Sequence, residues 1–486
     1  MPEDRPAALR RATAAIARLA PQLGDLGSRF AAAGHELALV GGPVRDAFLG
    51  RTSGDLDLTT DARPDETERL LAGWADTTWD VGREFGTVGG RRGDAVVEVT
   101  TYRADAYDGE TRKPVVEFGS SLTEDLRRRD FTVNAMAVRL PDLAFVDPFG
   151  GVDDLVARRL RTPQAAVASF RDDPLRMMRA ARFASQLGMQ PDATTLAAMV
   201  QRAPTIGIVS AERVRDELTK LLLGRDPRAG LALLVDTGIA EHVLPELPAL
   251  RLEVDEHHRH KDVYEHTLTV LEQAIALEDD HRDPEAVVPG PDLVLRLAAL
   301  MHDVGKPPTR RFEPGGGVSF HHHEVVGAKL TAKRLKALRF DKQTVRDVAR
   351  LVELHLRFHG YGDGAWTDSA VRRYVTDAGP LLPRLHRLTR SDSTTRNARK
   401  AQRLRLAYDD LERRIEELQE QEELARVRPD LDGNAIMRLL DLPPGPVVGR
   451  AYSHLLAVRL DRGPLEASQA EAELRRWWAE QPESGA

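Results

Sequence analysis

Strand-like alternation is confined to residues 36–150 of this 486-residue chain, and that restriction limits the fold more than any other feature. Four segments there are predicted as strands between Gly-rich turns: ELALVGG (36–42), GDLDLTT (54–60), TVGGRRG (87–93) and AVVEVTTYR (95–103). Residues 1–35 and 64–73 carry apolar positions at helical spacing. From about residue 160 onward, long amphipathic patterns replace the strands. We therefore predict a small α/β head followed by a mostly α-helical body.

Composition limits the compartment and the metal chemistry. The length favours roughly two to four domains. Because the chain has no cysteine, any metal must be held by histidine and carboxylate ligands. No apolar run approaches ~20 residues and the N-terminus lacks a secretory apolar region, which predicts a cytoplasmic protein that does not bind a membrane.

The net charge of −7 does not exclude nucleic acid, because binding depends on where positive charge lies. Residues 384–405 contain eight Lys or Arg and one Asp. This basic segment is predicted either to contact phosphates or to form an ordinary solvated helix face.

Two carboxylates, Asp55 and Asp57, lie two residues apart on a predicted strand and so project from one face. Such a pair can hold Mg²⁺, which prefers oxygen ligands and recruits phosphate oxygens. Glu98, on another predicted strand, is the best candidate for a third acid. Taken alone, an acid pair is more often a solvated surface feature.

The segment before this pair favours a functional site. Gly41 and Gly42 allow backbone to approach a phosphate closely, and Arg45 follows at the start of a predicted helix. A phosphate-binding turn about a dozen residues before a metal-binding pair predicts phosphoryl-transfer chemistry.

Four segments in this order resemble the polymerase-β-like head of the class II CCA-adding and bacterial poly(A) polymerase family: GGPVRDAFLGRTSGDLDLTT (41–60), VEVTTYR (97–103), RRDFTVNAMA (128–137) and VDPFGGVDDL (146–155). The resemblance implies a mixed sheet and a catalytic triad of Asp55, Asp57 and Glu98. It further implies that Gly42, Arg45 and Arg129 hold the triphosphate, that Asp130 inspects the ribose 2′-hydroxyl, and that residues 146–155 form a hinge.

DDPLRMMRAARF (172–183) is similar to the nucleotide-selecting helix of the same family. Asp173 and Arg176 are three residues apart, which predicts one helix face carrying an acceptor and a donor for a base edge. The resemblance implies that this pair reads CTP and then ATP, and that Arg179 and Arg182 face the triphosphate. The family usually has Glu where this chain has Asp172.

The polar segment ADAYDGETRKPV (104–115) is predicted to be a mobile loop. In the family that it resembles, such a loop accompanies addition of the terminal A, which favours full CCA or A-only activity.

Histidines and aspartates in the middle of the chain follow the order of the HD phosphohydrolase superfamily, which they resemble: His266, His302, Asp303, His323, His355 and Asp392. Imidazole and carboxylate ligands suit Mn²⁺, Ni²⁺, Zn²⁺ or Fe, so a second, transition-metal site is predicted there. His321 and His322 are interpreted as neighbours of the ligand. The alternative is a helical scaffold that retains a few buried histidines.

Residues 409–423 are acidic and predicted to be helical, and residues 430–456 resemble the C-terminal helix–turn–helix of the family. The predicted domains are an N-terminal helix with the catalytic head (1–155), a nucleotide-selecting neck (156–250), an HD domain (251–400) and a tRNA-binding tail (401–486).

These observations predict Mg²⁺-dependent addition of C, C and A to the 3′ end of tRNA from CTP and ATP. Three alternatives remain open: a poly(A) polymerase or A-only enzyme of the same family, an HD phosphohydrolase acting on RNA ends, and a non-catalytic RNA-binding scaffold. The oligomeric state stays open.

Overall fold

A computed structural model describes residues 5–51, 55–83, 86–104, 117–251, 263–314, 317–361, 366–394, 397–422 and 428–485. The chain divides into two compact units, Met1–Val243 and Leu244–Ala486. All but the first residue of the predicted loop 104–115, and residue 423 of the predicted acidic helix, lie outside the described residues. The finer division into four domains remains a prediction.

The strands of the first unit form one seven-stranded mixed sheet and two small two-stranded pairings. They are β1 Leu37–Val40, β2 Asp55–Thr60, β3 Thr77–Gly82, β4 Thr87–Arg92, β5 Ala95–Thr101, β6 Arg103–Ala104, β7 Glu117–Phe118, β8 Ala137–Leu140, β9 Phe145–Val146, β10 Arg159–Leu160 and β11 Gln190–Pro191. The large sheet has the order β3-β4-β5-β2-β1-β8-β9. The four predicted strands are therefore confirmed, whereas β3 and the strands after β5 were missed.

Strand β1 lies inside this sheet, and all four of its residues are buried. It pairs antiparallel with β2 on one side and with β8 on the other. Strand β2 pairs in parallel with β5, which makes the sheet mixed as predicted. The parallel pairing brings the acidic segments of β2 and β5 side by side.

Eleven helices are described in the first unit: α1 Arg5–Ala32, α2 Gly42–Phe48, α3 Pro64–Ala72, α4 Leu122–Arg127, α5 Gly151–Val156, α6 Ala166–Asp172, α7 Leu175–Leu187, α8 Ala193–Arg202, α9 Ala211–Leu222, α10 Pro227–Asp236 and α11 Ala240–Val243. Helix α7 packs against both α9 and α10. Its buried face is apolar, and this packing holds the residues that precede it and follow it at fixed positions.

The second unit is helical apart from one short described hairpin, β12 Arg311–Phe312 and β13 Val318–Ser319. Its helices are α12 Val263–Ala276, α13 Leu293–Met301, α14 Lys306–Thr309, α15 His323–Ala337, α16 Lys342–Leu354, α17 Asp368–Ala378, α18 Leu382–Asp392, α19 Ala398–Glu422, α20 Gly433–Leu440, α21 Pro446–Arg462 and α22 Ala467–Ala479. This confirms the predicted helical body. No helix in the described part of the chain is long and apolar enough to cross a membrane.

Candidate active site and candidate metal centre

The register between β2 and β5 places Asp57 directly beside Glu98. Both residues are exposed, so their carboxylates face outward from this part of the sheet. Asp55 begins β2 two residues earlier, but its side chain lies outside the described part of the structure. The expectation that a neighbouring strand brings Glu98 beside Asp57 is confirmed. The sharing of a metal by all three acids remains a prediction.

The turn between β1 and α2 requires glycine at position 41. Gly41 has a φ of 72°, in the left-handed region that favours glycine. A Cβ there would lie 3.0 Å from Nη1 of Arg129 and 3.9 Å from Oδ2 of Asp57. The turn therefore lies against one predicted phosphate ligand and one predicted metal ligand.

Arg45 in α2 is held by two oxygens from different elements. Its Nη1 donates to Oδ1 of Asn134 at 2.8 Å, and its Nε and Nη2 donate to Oδ1 of Asp46 at 2.9 and 2.8 Å. Its guanidinium also lies 5.3 Å from the ring centre of Phe183. The arginine is thus oriented before any ligand arrives.

A cavity of about 370 Å³ collects these residues in the first unit. It is lined by Gly41, Gly42, Arg45, Asp57, Arg129, Asp130, Asn134, Asp173, Arg176, Arg179, Arg182, Phe183 and Gln186. All eight residues predicted to bind nucleotide line it, together with one predicted metal ligand. Glu98 does not line it; it lies beside Asp57 on the sheet.

Asp130 is the most buried acid of the cavity, with 5% of its surface exposed. Its Oδ2 lies 2.8 Å from Nη2 of Arg179, and its Oδ1 accepts from Nδ2 of Asn134 at 3.0 Å. Burial alone would raise the pKa of Asp130, but Arg179, Asn134 and the amide of Phe131 together hold it below its ordinary value. Asp130 is therefore a fixed acceptor, charged at neutral pH.

Arg182 is held by Glu217 of α9, whose Oε2 lies 3.0 Å from its Nε. The guanidinium also lies 4.6 Å from the ring centre of Phe183. Burial lowers the pKa of Arg182, as it does for Arg176, although guanidinium remains charged at neutral pH. Arg45, Arg179 and Arg182 therefore each have a protein partner, which an anionic ligand would have to replace.

The prediction that Asp173 and Arg176 share one helix face is wrong. Helix α6 ends at Asp172 and α7 begins at Leu175, so Asp173 lies between them with extended backbone (φ −144°, ψ 101°). The cause is Pro174, because a residue before proline is sterically disfavoured in the helical region. Both side chains nevertheless line the cavity.

Asp173 and Arg176 are each bonded to other groups. Oδ2 of Asp173 lies 2.9 Å from Nη2 of Arg213 in α9. Nη1 of Arg176 donates to Oγ of Ser169 at 2.7 Å, and its Nη2 donates to the carbonyl of Arg128. A base-reading role for the pair remains a prediction.

The second unit brings the predicted HD residues into one cluster. His302 follows α13 directly, and its Nε2 lies 3.2 Å from Oδ2 of Asp303. Nε2 of His323 lies 3.3 Å from Oδ1 of Asp303, and Nε2 of His266 lies 2.9 Å from Oδ1 of Asp392. The ring of His355 lies 5.3 Å from those of His302 and His323.

Ligand atoms in this cluster form two overlapping groups within 4.8 Å, His266 with His302 and Asp303, and Asp303 with His323 and His355. Asp303 is common to both groups. Gly305 permits this arrangement, because a Cβ at that position would lie 2.0 Å from the carbonyl oxygen of His323.

Three of the imidazoles are oriented alike by the backbone. Nδ1 of His302, His323 and His355 lies 2.8, 2.9 and 2.6 Å from the carbonyl oxygens of residues 299, 320 and 352. Donation from Nδ1 leaves Nε2 as a lone-pair donor facing the cluster. Among the described residues, these three Nε2 atoms meet no hydrogen-bond partner of acceptable geometry, although all are buried. A cation would satisfy them, so the residues fit a metal.

Electrostatics in the cluster agree with a cation site. Burial alone would lower the pKa of His302, but Asp303 and Asp392 raise it to about 10. Burial, together with the neighbouring His302, lowers the pKa of His355 to about 3. The two acids attract positive charge strongly while at least one imidazole stays neutral. His321 and His322 are exposed and belong to neither ligand group among the described residues, so their interpretation as neighbours of the ligand stays a prediction.

Sequence reasoning missed several partners of the predicted residues. Asn134, Arg213 and Glu217 orient cavity residues, and Lys306 places Nζ 3.0 Å from Oδ2 of Asp303. Asn134 lies within a segment that had already been singled out. The two α9 residues carry no local signal, because their partners lie 35 or more positions away in sequence.

Residues 395 and 396 of the basic segment 384–405 lie outside the described residues; the described cations of the segment are either paired or exposed. Arg384, Arg387 and Arg390 form ion pairs with Asp292, Asp279 and Asp409, respectively. The exposed ones lie on α19: Arg399, Lys400, Arg403 and Arg405. Only part of the segment is therefore available for phosphate contacts.

Family comparisons agree with this geometry. Residues 37–161 match the Poly A polymerase head domain, residues 188–250 match the probable RNA and SrmB-binding site of polymerase A, and residues 263–397 match the HD domain. The A-adding tRNA nucleotidyltransferase of Deinococcus radiodurans is 36% identical over 457 residues, which cover 92% of this chain and 96% of that protein. The chain belongs to the family of CCA-adding and A-adding tRNA nucleotidyltransferases.

Other members of the tRNA nucleotidyltransferase family match part of the chain or its fold. The CCA-adding enzyme of Geobacillus kaustophilus is 45% identical over 217 residues, 44% of this chain and 52% of that protein. The crystal structure of the Bacillus stearothermophilus CCA-adding enzyme in complex with CTP has a TM-score of 0.62 and 25% identity, and covers 94% of this chain and 98% of that one. The polymerase-β-like head with a helical body is thereby confirmed, and with it the resemblance inferred from the motifs.

Proposed function

We propose that this chain adds C, C and A to the 3′ end of tRNA, using CTP and ATP and releasing pyrophosphate. The observation that carries the proposal is the cavity of the first unit, where predicted phosphate-binding arginines and predicted base-reading residues line one space with Asp57. A cavity of about 370 Å³ lies within the range usual for small-molecule sites.

Magnesium is the metal we propose for the head. Asp57 and Glu98 are adjacent, exposed oxygen donors, and oxygen ligands are what Mg²⁺ prefers. They would hold the metal together with Asp55. When bound, the metal would supply a lowered pKa for the attacking hydroxyl and neutralisation of charge on the triphosphate.

The remaining work falls to positioning and electrostatics, as in phosphoryl transfer generally. Arg45, Arg129, Arg179 and Arg182 would exchange their present protein partners for oxygens of the triphosphate. Because guanidinium binds phosphate with two parallel hydrogen bonds, these arginines would also fix the α-phosphate in line with the RNA 3′-hydroxyl. Asp130, a fixed charged acceptor, would accept from the ribose 2′-hydroxyl.

Base selection without a template would rest on Asp173 and Arg176. A carboxylate accepts from an exocyclic amine, and a guanidinium donates to a ring acceptor. Cytosine and adenine each present an amine beside a ring acceptor, whereas uracil and guanine present a carbonyl there. The extended conformation at Asp173 lets the two side chains approach a base from different backbone elements.

For tRNA contacts we propose the exposed cations of α19 and the helix pair α20 and α21. Such contacts neutralise backbone phosphates and are indifferent to sequence. Binding should therefore weaken steeply as salt is raised.

Three transcripts of one tRNA, ending before CCA, after the first C and after the second C, would test the proposal. Each is incubated with CTP, ATP or both, and the 3′ ends are sequenced. We expect C on the first two substrates with CTP, A on the third with ATP, and complete CCA ends with both. No addition to any substrate would refute the proposal, and long A tracts without C would identify a poly(A) polymerase.

A-only addition is the second candidate, favoured by the similarity along 92% of the chain to a protein named an A-adding tRNA nucleotidyltransferase. It predicts addition of A to the transcript ending in CC and no incorporation of CTP on any substrate.

For the histidine cluster we propose a transition-metal site able to hydrolyse phosphoesters at RNA ends. The buried Nε2 atoms aimed at Asp303 support the metal. Incubation of a cyclic-phosphate-terminated RNA with Mn²⁺, Ni²⁺ or Zn²⁺ tests the hydrolysis. Opening of the cyclic phosphate in the absence of nucleotide addition would separate this activity from that of the head. A cyclic phosphate that stays intact with every metal would refute the proposed hydrolysis.

A further inference from the structure

Helix α9 supplies charged partners for two of the residues that line the nucleotide cavity. Arg213 pairs with Asp173 at 2.9 Å, and Glu217 pairs with Arg182 at 3.0 Å. Positions 213 and 217 are four apart and so lie on one side of the helix. Helix α9 packs against α7, which carries Arg182. One helix therefore holds a proposed base-reading residue and a proposed phosphate-binding residue.

The carboxylate of Asp173 is fixed at both oxygens. Its Oδ1 accepts from the amide of Leu175 at 3.1 Å, and its Oδ2 is bonded to Nη2 of Arg213. Because Asp173 lies outside both flanking helices, no regular helix geometry orients it. The terminal torsion of aspartate is also broad in energy. Without Arg213 the carboxylate could turn about the single anchor that Leu175 provides.

Stability is a poor explanation for the Arg213 contact. The Arg213 side chain is 54% exposed and that of Asp173 is 30% exposed. Ion pairs between side chains as exposed as these contribute little to folding. The main effect of the contact with Arg213 is therefore to fix the direction in which the Asp173 carboxylate points.

We propose that Arg213 is a specificity-determining positioning residue, which holds the Asp173 carboxylate in the orientation that accepts the exocyclic amine of C or A. The inference rests on the proposed function, since it assigns a cause to the base selection of that reaction. Arg213 does not line the cavity and need not touch the nucleotide.

Anchoring matters because acceptance and repulsion use the same oxygen. A fixed carboxylate accepts from the amine of CTP or ATP and repels the carbonyl that UTP or GTP presents at the same place. A carboxylate that can rotate loses part of the attraction and escapes the repulsion. Loss of the anchor should therefore damage discrimination more than turnover.

The test compares Arg213→Ala and Arg213→Lys with the matched control Arg215→Ala. Arg215 lies on the same helix, pairs with Asp216 and does not line the cavity. For each full-length protein, kcat/KM is measured with CTP, UTP, ATP and GTP on the tRNA substrates. Thermal unfolding and nucleotide-binding titrations with CTP and UTP accompany the kinetics.

We expect R213A to lower the CTP/UTP and ATP/GTP ratios by about tenfold, the change that loss of roughly one hydrogen bond produces. R213K, which retains a cation, should restore most of the discrimination. R215A should keep the wild-type ratios, and all four proteins should unfold at similar temperatures.

Unchanged ratios in R213A would overturn the inference, as would an equal loss of activity with all four nucleotides. Failure of the wild-type protein to extend any tRNA would instead refute the proposed function. The titrations still decide the inference in that case, because they compare CTP with UTP at the same site. Equal CTP/UTP selectivity of binding in wild type and R213A would contradict it.

Discussion

The polar groups of the nucleotide cavity and those of the histidine centre differ in whether they already have partners. The histidine centre is the cluster of His266, His302, Asp303, His323, His355 and Asp392. In the cavity, cations already have partners: Arg45 has Asn134, Arg179 has Asp130 and Arg182 has Glu217. In the histidine centre, buried Nε2 atoms converge on carboxylates without acceptable hydrogen-bond partners among the described residues. An anionic substrate would therefore have to exchange with protein groups in the cavity, whereas the unpartnered buried imidazole nitrogens fit a resident cation.

Replacement of Asp57 by Asn should have the largest effect, confined to the cavity. Because a metal-bound carboxylate contributes several kcal/mol of transition-state stabilisation, kcat/KM for nucleotide addition should fall by roughly a thousandfold or more. Single-turnover extension of tRNA measures it. Asp94→Asn, at an exposed acid in the turn before β5, is the control and should retain activity. Wild-type rates of nucleotide addition in D57N would contradict a catalytic role for Asp57 in β2.

Replacement of His355 by Gln should act on the other region alone. Loss of an inward Nε2 should weaken transition-metal affinity by at least about a hundredfold, while nucleotide addition by the head stays unchanged. Metal content after dialysis and calorimetric titration measure this. His386→Phe is the control: Nε2 of His386 is also buried without a described partner, but it belongs to neither ligand group. Equal metal content in H355Q and wild type would contradict the metal site and favour the alternative of a helical scaffold with buried histidines.

Arg176→Ala should produce a smaller loss on the cavity side. Removal of a buried charged donor to the base should lower kcat/KM for CTP by about 10- to 100-fold, as expected for a hydrogen bond to a charged group. Steady-state kinetics with CTP and ATP measures the loss. Arg171→Ala, an exposed arginine of α6, should behave as wild type. Unchanged kcat/KM in R176A, as expected for R171A, would show that Arg176 does not contact the base.

Acid sensitivity provides the smallest and most local prediction. Burial lowers the pKa of His386 to about 4. Its ring stacks on that of Tyr374, with 5.9 Å between the ring centres. The unfolded chain takes up this proton near pH 6.5 and the folded chain does not, so stability falls as pH falls from 6.5 to 4.

This titration should cost about 2 kcal/mol of unfolding free energy between pH 7 and pH 5. H386F should lack that part of the pH dependence, as measured by urea unfolding at both pH values. His281→Gln, at an exposed histidine, should keep the wild-type slope. The same slope in H386F and wild type would contradict a neutral, buried His386.

Local patterns in the sequence predicted most of the head. Alternation identified β2 and β5, and the Gly41–Gly42 turn identified the approach to the cavity. The parallel register that aligns Asp57 with Glu98 could not be read from either strand alone, because register depends on long-range pairing. The break before α7 could have been predicted, since Pro174 stood in the segment that was interpreted as one helix.

Partners from distant elements were beyond sequence reasoning. Residues 173 and 213 lie 40 positions apart, and only the packing of α9 on α7 joins them. In the histidine centre the order of ligands predicted the cluster, but not the Nδ1 bonds to backbone that orient three of the rings. Local spacing predicts which residues act; tertiary packing determines which partners hold them.

The most direct test of the account is a crystal structure of the full chain with CTP and Mn²⁺, the metal being located by anomalous scattering. The account predicts metal bound by Asp57 and Glu98, triphosphate oxygens bonded to Arg45, Arg129 and Arg182, and the cytosine amine at Asp173. Nucleotide bound outside this cavity, or manganese found only at the histidine centre, would contradict it.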